Sequence, residues 1–405
     1  MKVLLSDGSS LASRQIAGLL AAAGHEVGVL HAGGLSLGRL TGTVRHQHRV
    51  PRYGDDPFVW LDAAVEIYRR HHYDVLFPTQ EQVAVLTLAP ADVATAVPDL
   101  AALAEVQDKV SATRTLDRLG VPQPSSRICS PADLPADAGP WPAFLKRPIA
   151  TGSTGVALVE DAAAAAALAA GWGDDEVVVQ QPAAGPLLMA QAVADHGRLV
   201  GWAVNRRLAE GVGGGASRKE SLHRSDVAAL LGWLVEGLGW HGAMSVDLID
   251  HADGPLAIDV NPRLVEPANA AAAGVDLVGA LLALALSRSP ATLPEPTGGV
   301  RTHQGLLALL GAARSPGARR AVVAEAARLA THRGPYAGSR EELTPVAGDR
   351  RTAIVPLVAT AAVLVRPAAW EHFAAGGVAG YALSPDGWGR IRSRLTPPPD
   401  SFASA

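Results

Sequence analysis

A chain of 405 residues with 48% apolar and 18% charged side chains is long enough for two to four domains and can bury several cores. A net charge of −4 without a basic run offers nucleic acid no electrostatic footprint, and a single cysteine, Cys129, excludes an internal disulfide framework and fits a reducing, cytoplasmic setting. The apolar run 353–365 contains Pro356 and is too short to span a bilayer, and the polar residues after Leu5 leave no signal-peptide core, so a membrane span is not expected.

The chain opens as β-α-β. Val3-Leu4-Leu5 reads as a short buried strand, Asp7-Gly8-Ser9-Ser10 as a turn, residues 11–23 as a helix and Val27-Gly28-Val29-Leu30 as the next strand. A further strand, Asp74-Val75-Leu76-Phe77, runs into the loop Pro78-Thr79-Gln80-Glu81. Strands alternating with helices imply a parallel sheet with ligands at the strand C-terminal ends, which makes Glu81 a candidate substrate contact. No G-x-G-x-x-G follows the first strand, so a dinucleotide site is disfavoured. From Glu105 the character changes. Gln107-Asp108-Lys109-Val110-Ser111 opens a helix that ends at Leu119-Gly120. The strand Ala143-Phe144-Leu145-Lys146 then meets a glycine-rich loop, Thr151-Gly152-Ser153-Thr154-Gly155-Val156. An Ala-rich helix, the strand Val177-Val178-Val179-Gln180 and a long α/β stretch to about Pro290 follow, and beyond it lies a Pro/Gly-punctuated mixed region.

Three groups of residues carry chemistry. Lys146 supplies a point charge next to glycines (Gly152, Gly155) that let backbone N–H groups approach phosphate closely, although the loop is not a Walker P-loop. Met244–Asp250 and Leu256–Arg263 read as two strands joined by a tight turn. Paired antiparallel, they make Asp247 and Asp259 neighbours, and Asn261, two residues on, shares the face of Asp259. Two carboxylates and an amide oxygen are hard ligands of the kind Mg²⁺ takes, and a cation resolves their mutual repulsion. The third group, Asn205-Arg206-Arg207, Gly213-Gly214-Gly215, Ser217 and Ser221, combines cations, glycines and hydroxyls suited to phosphate or carboxylate. His46, His48, His71 and His72 lack partners at zinc spacing, and no Gly-x-Ser-x-Gly is present.

In this order the segments resemble the ATP-grasp superfamily, most closely its carbamoyl phosphate synthetase and biotin carboxylase branch with the standalone carboxylate-amine ligases. The likeness covers residues 1–290 and is carried by Asp108-Lys109-Val110-Ser111, Lys146 with the loop 151–156, Arg206-Arg207, Gly214-Gly215-x-Ser217 and Asp259-Val260-Asn261-Pro262-Arg263. The resemblance implies an α/β chain, α+β in its ATP-grasp part: a Rossmann-like parallel-sheet domain (1–104), a two-lobed ATP-grasp domain (105–290, small lobe about 105–178, large lobe about 179–290) and an additional C-terminal region (291–405). It also implies ATP with two Mg²⁺ (or Mn²⁺) ions. Lys109, Lys146 and the loop Thr151, Gly152, Ser153, Thr154 and Gly155 would contact phosphates. Gln180, Gln181 and Ala184 would form the adenine hinge, Asp247, Asp259 and Asn261 would hold metal, and Arg207 and Arg263 would steady the transferred phosphoryl group. Glu81, Ser217 and Ser221 are the substrate candidates. Gln181 stands where a hinge glutamate is common, Pro186 and Leu187 where an acid often holds the ribose, and Asp247 and Asp259 where glutamates are usual.

The expected activity is ATP-dependent joining of a small carboxylate, such as an amino acid, to an amine through an acyl phosphate, with release of ADP and phosphate. A bicarbonate-phosphorylating carboxylase is the second reading, although no Met-Lys-Met biotin-carrier motif occurs, and a non-catalytic nucleotide-binding regulator is the third. A homo-oligomer is compatible with the sequence.

Overall fold

The structure is a computed structural model that describes residues 1–33, 40–137, 139–150, 155–346, 349–378 and 380–395. Among these residues fifteen strands fall into three sheets. The first is parallel, β1 (Lys2–Leu5), β2 (Glu26–His31), β3 (Val44–Arg49) and β4 (Val75–Phe77), in the order β3-β2-β1-β4. The predicted helix forms over Leu11–Ala22, where the Ser10 hydroxyl accepts from the Ser13 N–H at the N-cap. β4 delivers residues 78–82 to the C-terminal edge of this sheet, where Thr79, Gln80, Glu81 and Gln82 are all buried.

The second sheet is antiparallel: β5 (Ser126–Cys129), β6 (Ala143–Lys146), β7 (Val156–Val159) and β8 (Val177–Gln180), in the order β5-β8-β6-β7. The helix Lys109–Leu119 precedes it. Asp108 caps that helix by accepting from the Ser111 N–H at 2.7 Å, and Gly120 ends it in the left-handed region (φ 68°), which a glycine enters without a Cβ penalty.

The third sheet has seven strands in the order β13-β12-β9-β10-β11-β14-β15. These are β9 (Leu187–Asp195), β10 (Arg198–Glu210), β11 (Ala216–Leu222), β12 (Gly242–His251), β13 (Gly254–Asn261), β14 (Arg301–His303) and β15 (Arg340–Glu341). The last two come from beyond residue 290, so the C-terminal region extends this sheet through antiparallel pairing of β14 with β11. One face of the sheet carries an apolar patch: Leu188, Ala190, Ala192, Val204, Met244, Val246 and Leu248 pack with Val227, Leu230, Leu231 and Leu234 of the helix Ser225–Gly237. The other face changes along its length. At one end Val193, Ala203 and Ala243 share a core with the helix Leu277–Ala285 and with Val3, Leu5, Val75 and Phe77 of the first sheet. At the other end the same face carries Asp247, Asp259 and Asn261. Alternation with period two separates the leucine side from the polar side, so the polar end sits against the first sheet's loops.

The helix Ile354–Val365 occupies the late apolar run. It buries Ala359 and Val363 but exposes Leu357 and Val365. Among the described residues no helix is long and apolar enough to cross a membrane.

β3 is an edge strand of the first sheet and carries His46 and His48. His48 on it bonds Tyr73 Oη (2.8 Å), and its ring centroid lies 4.4 Å from that of His71. Burial, then repulsion from His71 and His46, lowers the His48 imidazole from 6.5 to about 4. A folded-state value below the unfolded one means that stability from this group is complete above pH 6.5 and is lost as pH falls from 6.5 toward 4. Thermal melts across that window should show a falling midpoint that flattens in His48→Gln.

Candidate active site

β12 and β13 pair so that Ser245 faces Asn261 and Asp247 faces Asp259. Directly opposed residues of an antiparallel pair project from one face with Cβ atoms about 5 Å apart, so both carboxylates are within reach of one cation. The register slips immediately beyond: Leu248 pairs with Ala257, which leaves Ile258 as the extra residue of a β-bulge. The bulge lets Ala257 join the apolar core while Asp259 turns to the polar face. It also leaves the Ile258 carbonyl for Lys146, whose Nζ donates to it at 2.7 Å.

The electrostatics are those of a cation-seeking site. Burial, then the charges of Asp259 and Glu266, push the Asp247 carboxyl up to about 7, against the pull of Lys146 and Arg263. Burial brings the Lys146 ammonium down to about 8; Asp259 and Asp247 oppose that shift and Lys109 adds to it. Lys109 Nζ lies 3.8 Å from Asp259 Oδ1 and donates to the Ala150 carbonyl at 3.5 Å. Two opposed carboxylates and one amide, all hard oxygen donors and with one carboxylate held back from ionising, fit Mg²⁺.

A cavity of about 80 Å³ lies beside these groups. Its wall includes Lys109, Gly155, Asp259, Asn261 and Arg263 together with Glu81 and Gln107. Arg263 Nη1 pairs with Glu81 Oε1 at 2.9 Å, and Gln107 Nε2 donates to Glu81 Oε2 at 3.2 Å. Tyr53 Oη donates to the Glu81 carbonyl at 2.9 Å and fixes the loop from the far side. Among the described residues two buried atoms here have no hydrogen-bond partner, the donor Arg263 Nε and the acceptor Gln107 Oε1. Buried polar groups are normally satisfied, so such a pair invites a ligand or water.

The remaining candidates fall in different places. Thr151, Gly152, Ser153 and Thr154 lie outside the described residues. Gln180 is buried and donates through Nε2 to Ser126 Oγ at 3.0 Å. Gln181 and Ala184 follow β8 in the connection to β9, where the Gln181 N–H donates to the Ser125 carbonyl and its Nε2 to the Pro140 carbonyl. Arg207 is not on the cavity wall: its Nη1 donates to the Gly214 carbonyl at 3.0 Å and pairs with Glu210 at 3.4 Å. Ser217 donates to the Ala209 carbonyl, and Ser221 donates to the Thr297 carbonyl while accepting from the Val300 N–H. The structure thus spends both serine hydroxyls on the backbone of neighbouring strands and does not bring them to the cavity.

Neither Gln107 nor Gln191 is marked out as a site residue by the sequence, whereas Asn205 belongs to the third group above. Gln191 receives the Val265 and Glu266 N–H groups and donates to the Glu266 carbonyl, which shapes the turn after Arg263. Asn205 is buried, and it lies in the same cross-sheet row as Asp247 through Met189. These are long-range relations with no local spacing to announce them. Below them lies a buried charge cluster: Lys219 bridges Glu266 and Glu342 (2.7 Å to the latter), and Gln304 Nε2 donates to both carboxylates at 3.1 Å.

A parallel four-stranded sheet, an antiparallel four-stranded sheet and a larger, mostly antiparallel sheet with acidic residues on β12 and its edge strand β13 make up the architecture. Residues 106–267 match the family model described as the ATP-grasp domain, and the chain carries that domain. Solved structures agree in fold. Carboxyaminoimidazole ribonucleotide synthase from Aspergillus clavatus, complexed with ATP, superposes with a TM-score of 0.60 at 17% identity over 75% of this chain and 81% of that one. Biotin carboxylase from Campylobacter jejuni gives 0.59 at 16% identity over 73% of each chain. L-amino acid ligase from Bacillus licheniformis gives 0.54 at 14% over 71% and 75%. The present chain shares the fold of these three proteins. No curated protein matches it in sequence.

Proposed function

We propose that the protein is an ATP-dependent carboxylate–amine ligase. The observation that carries this reading is the convergence of Lys109, Asp259, Asn261, Arg263 and Glu81 on one small cavity, with Lys146 and Asp247 directly behind it. Asp247, Asp259 and Asn261 would hold Mg²⁺, which supplies charge neutralisation at the phosphate oxygens. Lys109 and Lys146 bind the phosphates of ATP. Arg263 orients the substrate carboxylate, releasing Glu81 as it does so. A carboxylate oxygen attacks the γ-phosphorus as the bond to ADP breaks. The amine then attacks the acyl carbon, phosphate leaves with that oxygen, and the amine's proton passes to water. The unpartnered pair Arg263 Nε and Gln107 Oε1, a donor and an acceptor on one wall, suits a ligand bearing both carboxylate and ammonium, which favours amino acids as substrates.

The test is a screen of paired amino acids and other small acids and amines with Mg-ATP, followed by mass spectrometry. The expected products are ADP, phosphate and an amide. With ¹⁸O in the substrate carboxylate, one label is expected in the released phosphate. Pyrophosphate release would overturn the acyl-phosphate course in favour of adenylation. ADP release that needs bicarbonate and no amine would turn the reading to a carboxylase, and nucleotide binding without turnover would turn it to a regulator.

A further inference from the structure

The far end of the large sheet holds a group of side chains that the ligase reading does not use. β9 and β10 are joined by a two-residue turn, His196-Gly197, with φ of 48° and 86°. Hairpin turns with two positive φ values favour Asn-Gly, because most other L-residues enter that region at a cost. Here a histidine occupies the first position. Its ring stacks on that of His241, the residue before β12, with centroids 4.2 Å apart and planes 24° from parallel. Asp195, the last residue of β9, places Oδ1 3.5 Å from His241 Nδ1. Its other oxygen accepts from Ser289 Oγ at 2.6 Å and from Arg198 at 3.1 Å, which fixes the carboxylate plane. One donor atom from each of Asp195, His196 and His241 lies within 4.8 Å of the others.

We propose that Asp195, His196 and His241 form a second metal site, for Zn²⁺ or a similar borderline transition metal, separate from the Mg-ATP centre. Two imidazoles and one carboxylate are the donor set such an ion takes, whereas Mg²⁺ prefers oxygen alone. Tetrahedral coordination at about 2 Å sets donors roughly 3.3 Å apart, so a side-chain movement of up to about 1.5 Å closes the present spacing of at most 4.8 Å. His196 is exposed and free to make that movement. Burial, followed by repulsion from His196, lowers the His241 imidazole below 6.5 against the opposite pull of Asp195 and Asp99, so its lone pair is available at neutral pH. Ser289 and Arg198 act as the outer hydrogen-bond partners that hold a ligating carboxylate in place. Asp195 is six residues along β9 from Met189, the register partner of Asp247, which separates the two centres by about 20 Å. The ion would pin the β9–β10 turn to the start of β12. Gly242 there already sits so close to the first domain that an added Cβ would lie 3.0 Å from the Ala96 carbonyl.

The test uses the full chain, stripped with chelator and kept in excess Mg²⁺ so that the oxygen-donor site is filled. Co²⁺ titration followed by visible absorption, Zn²⁺ competition and thermal melts with Zn²⁺ are read on wild type and on His196→Asn and His241→Gln. His196→Asn is the informative variant, because asparagine keeps the turn. One Co²⁺ per chain and a Zn²⁺-dependent rise in melting temperature are expected for wild type. Both variants should bind Zn²⁺ at least about 10-fold more weakly, since losing a ligand costs no less than losing one of its supporting partners. Mg-ATP binding should be unchanged in both. Equal Zn²⁺ uptake by wild type and His196→Asn, or no Zn²⁺ uptake by wild type above the Mg²⁺ background, overturns the proposal.

Discussion

Asp259→Asn is expected to lower ADP release at least about 100-fold while leaving the unliganded fold no less stable than wild type. The two effects have one cause. Asp247 and Asp259 oppose each other in register, and burial together with the Asp259 charge pushes the Asp247 carboxyl up to about 7. Removing one charge relieves that repulsion in the empty protein, but it also removes a proposed Mg²⁺ ligand, and metal stabilisation of phosphoryl transfer is worth several kcal/mol. The loss of the 3.8 Å contact to Lys109 subtracts little, because that pair is partly exposed. A coupled ADP assay and thermal melts with and without Mg-ATP check both halves. Turnover near wild type would remove Asp259 from the metal set, and a collapse of the empty fold would make its role structural. Asp259→Ala should behave alike in turnover.

Arg263→Ala should be the more damaging substitution, because it acts on activity and on the fold together. Arg263 and Glu81 are each close to fully buried and pair at 2.9 Å. Deleting the arginine leaves the Glu81 carboxylate without its cation in a low-dielectric site, a loss of about 3 kcal/mol in comparable buried pairs. Glu81 keeps only the Gln107 amide at its other oxygen. The double variant Arg263→Met, Glu81→Gln removes both charges and should recover most of the melting temperature while ADP release stays at background. A double variant as unstable as Arg263→Ala would show that packing, not the orphaned charge, accounts for the loss. Activity restored in the double variant would take Arg263 out of the reaction.

The pairing of β12 with β13 was legible because it is local. A turn at Ala252-Asp253 joins two alternating runs, and the carboxylates follow from period two. The helix Lys109–Leu119 was legible for the same reason, its Asp108 cap and its left-handed Gly120 being nearest-neighbour signals. The bulge at Ile258 was not legible. Either register of β13 satisfies its own alternation, and only packing of Ala257 against the helix side chooses between them. Nor was the fate of Ser217 and Ser221: both sit on β11, whose second neighbour, β14, arrives from some eighty residues downstream and brings the Thr297–Val300 backbone to Ser221. A loop-like sequence, rich in glycine and hydroxyls, became an interior strand because a distant segment satisfied its hydrogen bonds.

By itself the sequence determined the alternation of strands and helices in the first domain, the lysine and acidic strands of the second, and the face on which Asp247, Asp259 and Asn261 stand, since each rests on periodicity within about ten residues. Only the tertiary structure decided that Glu81, more than 180 residues from Arg263 in the chain, closes onto it, that Arg207 turns away to Gly214, and that the C-terminal region builds Glu342 and Gln304 into the buried charge cluster at Lys219. Such contacts exist because burying a charge far from water requires a partner, and the partner is whichever segment the packing of the three sheets brings within about 3 Å.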